Sequence, residues 1–176
     1  MTCTTESLRP VGSLPPPSLV PPRARLKVTI EPVWPTIRKI RQQVGEALAA
    51  FPTNVKNAAT MAASELTENA IKYGESVAAA DSISFKFERY DEQIRIEVAN
   101  GCTNMSAVHE LLECIKQIAE APDKEALYFA RVQRLLENQN ESGKLGLYRI
   151  ALEGQFSLYG RYEDEVVIVA ATRNLP

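Results

Sequence analysis

Leu26, Val28 and Ile30 are separated by Lys27 and Thr29, the period-two pattern of a strand with one buried face. After Pro35 the period lengthens. Ile37, Ile40, Val44, Leu48 and Phe51 recur at helical spacing between Arg38, Lys39, Arg41 and Gln42, which predicts an amphipathic helix. The basic TIRKIRQQ run is read as the solvated face of that helix. Pro52 breaks the pattern, and Thr53 or Asn54 suits the start of a second helix running towards Gly74. Its apolar stripe is Ala59, Ala63, Leu66, Ala70 and Tyr73. Alternation returns at Ile83, Phe85 and Phe87 and again at Ile94, Ile96 and Val98, with Asp91 and Glu92 between them, so a β-hairpin is expected. Two helical stretches follow, one from Ser106 to Glu120 and one from Pro122 to about Asn138. The polar ENQNESG run reads as a loop and LGLYRIALEG as a helix, while FSLY and VVIVAAT read as closing strands.

This order predicts an α+β fold: a two-layer sandwich with helices on one face of a mixed, mostly antiparallel sheet. The domain is expected over residues 23–176. Residues 1–22 carry Pro15, Pro16, Pro17, Pro21 and Pro22 and read as a flexible Pro-rich tail. Composition adds little to this picture: 45% hydrophobic and 24% charged residues are ordinary globular usage. The apolar VVIVAA run falls far short of the roughly 20 residues a spanning helix needs. With no membrane span and no basic, apolar leader at the N-terminus, a cytoplasmic location is expected. The formal net charge of -2 gives no general attraction to nucleic acid. Cys3, Cys102 and Cys114 lack metal-ligand spacing and read as reduced thiols.

Candidate chemistry concentrates in SELTENAIKYG. Glu65 and Asn69 stand one helical turn apart, with Lys72 three residues further on, so the three share one side of the helix. An Asn carbonyl oxygen suits a hard Mg²⁺ ion, a carboxylate one turn away suits proton abstraction, and a Lys suits a phosphate. On spacing alone, a solvated helix face is the commoner explanation. The segment nevertheless resembles the N-box of the GHKL (Bergerat-fold) ATPase superfamily, and its wording is most similar to the bacterial anti-sigma-factor serine/threonine kinases. That resemblance implies a sandwich of Bergerat type, with Glu65 as general base, Asn69 as magnesium ligand and Lys72 as a nucleotide contact. ESGKLGLYRIALEG is similar to the second glycine-rich box of the same family. There Gly143, Lys144, Leu145, Gly146 and Leu147 would approach the phosphates of ATP at a helix N-terminus.

The first glycine-rich box departs from the family. In EVANGCTN, Asn100 stands where the family has an Asp that recognises adenine, Gly101 follows it, and Cys102 and Asn104 fall where glycines are expected. A neutral acceptor is about half as strong as a charged one, and side chains replace backbone beside the base. Residues 105–140 form a helical insertion in the lid region, expected as a packed hairpin. Two roles stand for it, a regulatory lid over nucleotide and a structural or dimerisation insert, so a homodimer stays open. His109 follows the N-box rather than preceding it and reads as a helix-surface histidine.

The function the resemblance implies is an ATP- and Mg²⁺-dependent serine/threonine protein kinase-like regulator. Its partner would be a small regulatory protein, anti-anti-sigma-like or sigma-like. The alternative is a GHKL-like protein that works by protein–protein binding without productive use of ATP. Glu65 and Asn69 are expected to line one cavity in either case.

Overall fold

The computed structural model describes residues 8–12, 20–30, 35–137 and 145–175. The chain runs β1 (Leu8–Gly12), β2 (Ala24–Ile30), α1 (Pro35–Ala47), α2 (Thr53–Tyr73), β3 (Ile83–Arg89), β4 (Gln93–Gly101), α3 (Met105–Glu120), α4 (Lys124–Glu137), α5 (Leu145–Leu152), β5 (Ser157–Glu163) and β6 (Val166–Asn174). The strands form one sheet in the order β1-β5-β6-β4-β3-β2. Every described pairing is antiparallel, which corrects the expectation of a mixed sheet. Two tight connections help set this direction. β3 turns into β4 through Tyr90–Glu92, and β5 turns into β6 through Asp164 and Glu165, both at positive φ (52° and 61°), the geometry that matches strand twist in a short hairpin.

Register explains why one face becomes the core. Leu26 opposes Phe87, Phe87 opposes Ile96, and Ile96 opposes Ala171; one step along, Val28, Phe85, Val98 and Val169 line up in the same way. Phe85, Phe87 and Ile96 are completely buried, and each such side chain contributes about 1.5–3 kcal/mol. The helices pack on this face. α2 crosses β3 and β4 with α1 against it, and α5 lies between α2 and β5. The fold is therefore α+β, as the alternating patterns predict.

Two elements differ from expectation. Leu8–Gly12 lies within the segment expected as a flexible tail, yet it pairs with β5 at the sheet edge. Pro10 is compatible with this position because an edge strand leaves one row of amides unpaired. Gly12, at φ +81°, is required here because a Cβ would overlap the Leu158 carbonyl oxygen.

The second difference concerns the helical insertion, whose two helices separate in role. α3 packs on β5 and β1 and buries Val108, Leu112, Cys114, Ile115 and Ile118. A Cβ on Gly160 would meet Ile115 Cδ1 and Leu112 Cδ2 at 2.8 Å, so this glycine lets α3 settle onto the sheet. α4 rests on α5 and has no buried residue. Its last expected residue, Asn138, and nearly all of the polar loop after it lie outside the described residues. Cys102 and Cys114 are buried and free of disulfides, and Cys3 lies outside the described residues. Among the described residues no helix is long and apolar enough to cross a membrane.

Candidate functional site

α2 holds the central side chains in place by burying most of its circumference. Ala59, Ala62, Ala63 and Ala70 permit close approach to the sheet and to α1. Polar residues within this surface satisfy themselves along the helix: Ser64 Oγ donates to the Thr60 carbonyl at 2.9 Å and Thr67 Oγ1 to the Ala63 carbonyl at 2.7 Å. The remaining strip presents Glu65, Asn69 and Lys72.

These three residues do not converge. Asn69 lines a cavity of about 90 Å³ at the C-terminal end of α2, with Tyr73, Asn100, Cys102, Leu111 and Leu147 among its walls. Glu65 turns instead towards α5. Its Oε1 accepts from Arg149 Nη1 at 2.8 Å, and its Oε2 lies where a Cβ on Gly146 would be, against the first turn of α5. Among the described residues, Glu65 does not line the cavity that Asn69 lines; its carboxylate is turned to the Arg149 guanidinium, 84 residues away in sequence. Lys72 is exposed, with its Nζ 5.1 Å from the Tyr73 ring centroid, and stands outside the cavity wall.

Burial pushes the Glu65 carboxyl above its ordinary range; Arg149 opposes this, while Glu68 and Glu153 add to it. Arg149 also donates from Nε to Glu153 Oε1 at 3.2 Å and so bridges two carboxylates. Sequence reasoning missed Arg149. The available signal was its place one turn into the helix that follows Gly146, where a long cation reaches α2.

The remaining positions each have a local explanation. Asn100 is 8% exposed, and its Nδ2 donates to the Gly101 carbonyl at 2.9 Å. Gly101 forms a bridge with Glu75, whose amide donates to the Gly101 carbonyl at 2.8 Å; a Cβ on Gly101 would meet Val77 Cγ2 at 2.6 Å. Packing under Glu75 and Val77 thus accounts for the glycine without a nucleotide. Asn104 caps α3, its side chain accepting from the Ala107 amide at 3.1 Å. Cys102 is 3% exposed, and burial raises its thiol pKa, which keeps it a protonated wall residue. Leu147 is fully buried in the floor, and Leu145 and Gly146 form the first turn of α5. Gly143 and Lys144 lie outside the described residues. His109 is exposed, its Nδ1 2.7 Å from the Met105 carbonyl oxygen.

Among the described residues, the cavity beside Asn69 is small for an adenine nucleotide with magnesium. Sites for drug-sized ligands span about 300–1,000 Å³, and the cavity beside Asn69 is a fraction of that. α3 supplies Ala107, Val108 and Leu111 to its wall and is fixed to the sheet through its other buried residues. The first turn of α5, the place where phosphates would be held, already faces the Glu65 carboxylate. Comparison with family models and with curated proteins finds no match to the chain.

Proposed function

We propose that this chain is a regulator built on a Bergerat-type sandwich that acts by binding another protein and makes no productive use of ATP. The observation that carries this reading is the capture of Glu65 by Arg149 and the first turn of α5. A general base must reach a reacting proton, and this carboxylate is spent on an internal ion pair beside a cavity too small for a nucleotide. The N-box-like segment then serves to dock α5 on α2.

α4 supports the protein-binding half of the reading. Phe129 is 60% and Leu136 78% exposed, and they fall at i and i+7 with the half-buried Val132 at i+3, on one side of the helix. That spacing matches a partner segment laid along α4. The partner class is a small regulatory protein of the anti-sigma pathway type, as the resemblance of the N-box implies.

The test is affinity capture from the native host with the full chain and with Phe129→Asp, each with and without Mg·ATP, followed by binding measurements on the purified pair. Capture lost in Phe129→Asp and indifferent to nucleotide is the expected result. Capture that requires Mg·ATP, with phosphate transferred to the partner, would restore the kinase reading.

A further inference from the structure

The sheet ends on β1 at one edge and on β2 at the other, and the two edges are built differently. β1 is five residues long, carries Pro10 and loses its register between Leu8 and Val11, features that discourage a further strand from pairing there. β2 runs for seven residues in unbroken register with β3, with no proline and no bulge. Among the described residues no strand pairs with its outer side, so alternate residues turn their amides and carbonyls outward.

The helix-facing side of this edge is under-covered. Phe85 and Phe87 are completely buried, whereas Val28 and Leu26, directly opposite them on β2, are only half-buried. α1 is packed on α2 and on β2. A Cβ on Gly45 would meet Thr60 Cγ2 of α2 at 3.7 Å, so the opposite flank of α1, formed by Gln43 and Ala47, looks towards the β2 edge. Ala47 is half-buried there, and Gln43 Oε1 is buried with no partner among the described residues.

On the other face the same edge carries surplus positive charge. Arg25 Nε and Lys86 Nζ both reach Glu88, at 2.9 and 3.1 Å. Lys27 is exposed, stands directly opposite Lys86 and makes no ion pair with any described residue. Three cations thus surround one carboxylate, in a chain whose formal net charge is -2. Like charges opposed across strands repel, and a strand beyond β2 would oppose Lys27 as Lys86 does from within. β2 of a second copy has no acidic residue to place there.

We infer that the outer edge of β2 is a docking site for an extended segment of another protein, one in which acidic residues alternate with apolar ones. The segment adds a strand to the sheet. Its backbone pairs with β2, its carboxylates lie beside Lys27 and Arg25, and its apolar residues continue the core past Leu26 and Val28, below the Gln43–Ala47 flank of α1. The site shares no residue with the Asn69 cavity or with α4, and holds whether or not α4 binds a partner.

The test titrates the full chain with a synthetic heptapeptide alternating Glu with Val, and separately with one alternating Lys with Val, followed by amide NMR shifts. Saturable shifts at Leu26, Lys27 and Val28 with the acidic peptide are expected, with none at Asn69 or Phe129, weakening as ionic strength rises. The basic peptide should not bind. Lys27→Glu should weaken the acidic peptide roughly tenfold and admit the basic one. That variant places a carboxylate opposite Lys86, which favours the fold, so lost binding with unreduced Tm separates a docking effect from a folding defect. A reversed preference supports the site. No saturable binding of the acidic peptide, equal binding of both peptides, or an unchanged preference in Lys27→Glu overturns it. Shifts in β2 that follow protein concentration without peptide also overturn it, by showing that a second copy occupies the edge.

Discussion

Glu65 and Gly146 interlock: the carboxylate on α2 occupies the space that a side chain at position 146 would need. Alanine normally favours a helix over glycine by up to about 1 kcal/mol. Here the added methyl meets the carboxylate end of Glu65, which must swing away from α5 and loosen its bond to Arg149, so Gly146→Ala should lose that gain and destabilise the protein by up to about 1 kcal/mol in urea unfolding. In a Glu65→Ala background the same change should become neutral or stabilising. Additive behaviour of the pair would mean that the two residues do not touch.

The Glu65 carboxyl also makes stability depend on pH. Its folded pKa is raised, so the folded state holds the proton more tightly than the unfolded state does. Wild-type stability relative to Glu65→Gln is therefore greatest at acid pH. It should fall as pH rises from the ordinary carboxylate range through the raised pKa, and then level off. Urea midpoints of both proteins from about pH 4 to about pH 7 check this. A wild type that gains on the variant as pH rises would show that Arg149 outweighs burial.

The strands that build the core were legible because a single buried face leaves a period of two. Phe85 and Phe87, then Ile94, Ile96 and Val98, alternate without interruption, and the structure pairs them as a hairpin. β1 was illegible for the converse reason. It is an edge strand of five residues containing Pro10, with one ordinary alternation at most and an irregular register between Leu8 and Val11. α3 showed its apolar stripe, but periodicity states only that a helix is covered and not by what. Gly160 under Leu112 and Ile115 settles that it is covered by the sheet. At the site, spacing puts Glu65 and Asn69 one turn apart on α2. The direction of Glu65 depends on Arg149, a contact across 84 residues of chain that local spacing does not encode.

Placing an acidic residue at position 100 should not create a nucleotide site. Asn100 is buried and uses Nδ2 to donate to the Gly101 carbonyl. An Asp carboxylate there loses the donor and faces an oxygen, so Asn100→Asp should cost about 1–3 kcal/mol at neutral pH. The cost should shrink at acid pH, where the introduced group is protonated and donates again. Chemical denaturation at the two pH values measures this, and an undiminished midpoint at neutral pH would contradict the contact.

α4 and the sheet should separate cleanly under mutation. Phe129→Ala and Leu136→Ala remove exposed side chains and should change stability by no more than about 0.5 kcal/mol. Phe85→Ala opens the core and should cost about 3–5 kcal/mol. Thermal unfolding of the three variants gives the comparison. A large loss at Phe129 or Leu136 would mean that α4 is a core element and not a free binding face.

The most direct test of the central claim is calorimetric titration of the full chain with Mg·ATP. The account predicts no saturable heat at millimolar nucleotide, because Glu65 is held by Arg149 and the cavity beside Asn69 is about 90 Å³. Saturable binding that disappears on chelating the metal or in Asn69→Ala would contradict it and return the chain to the ATP-using members of the fold it resembles.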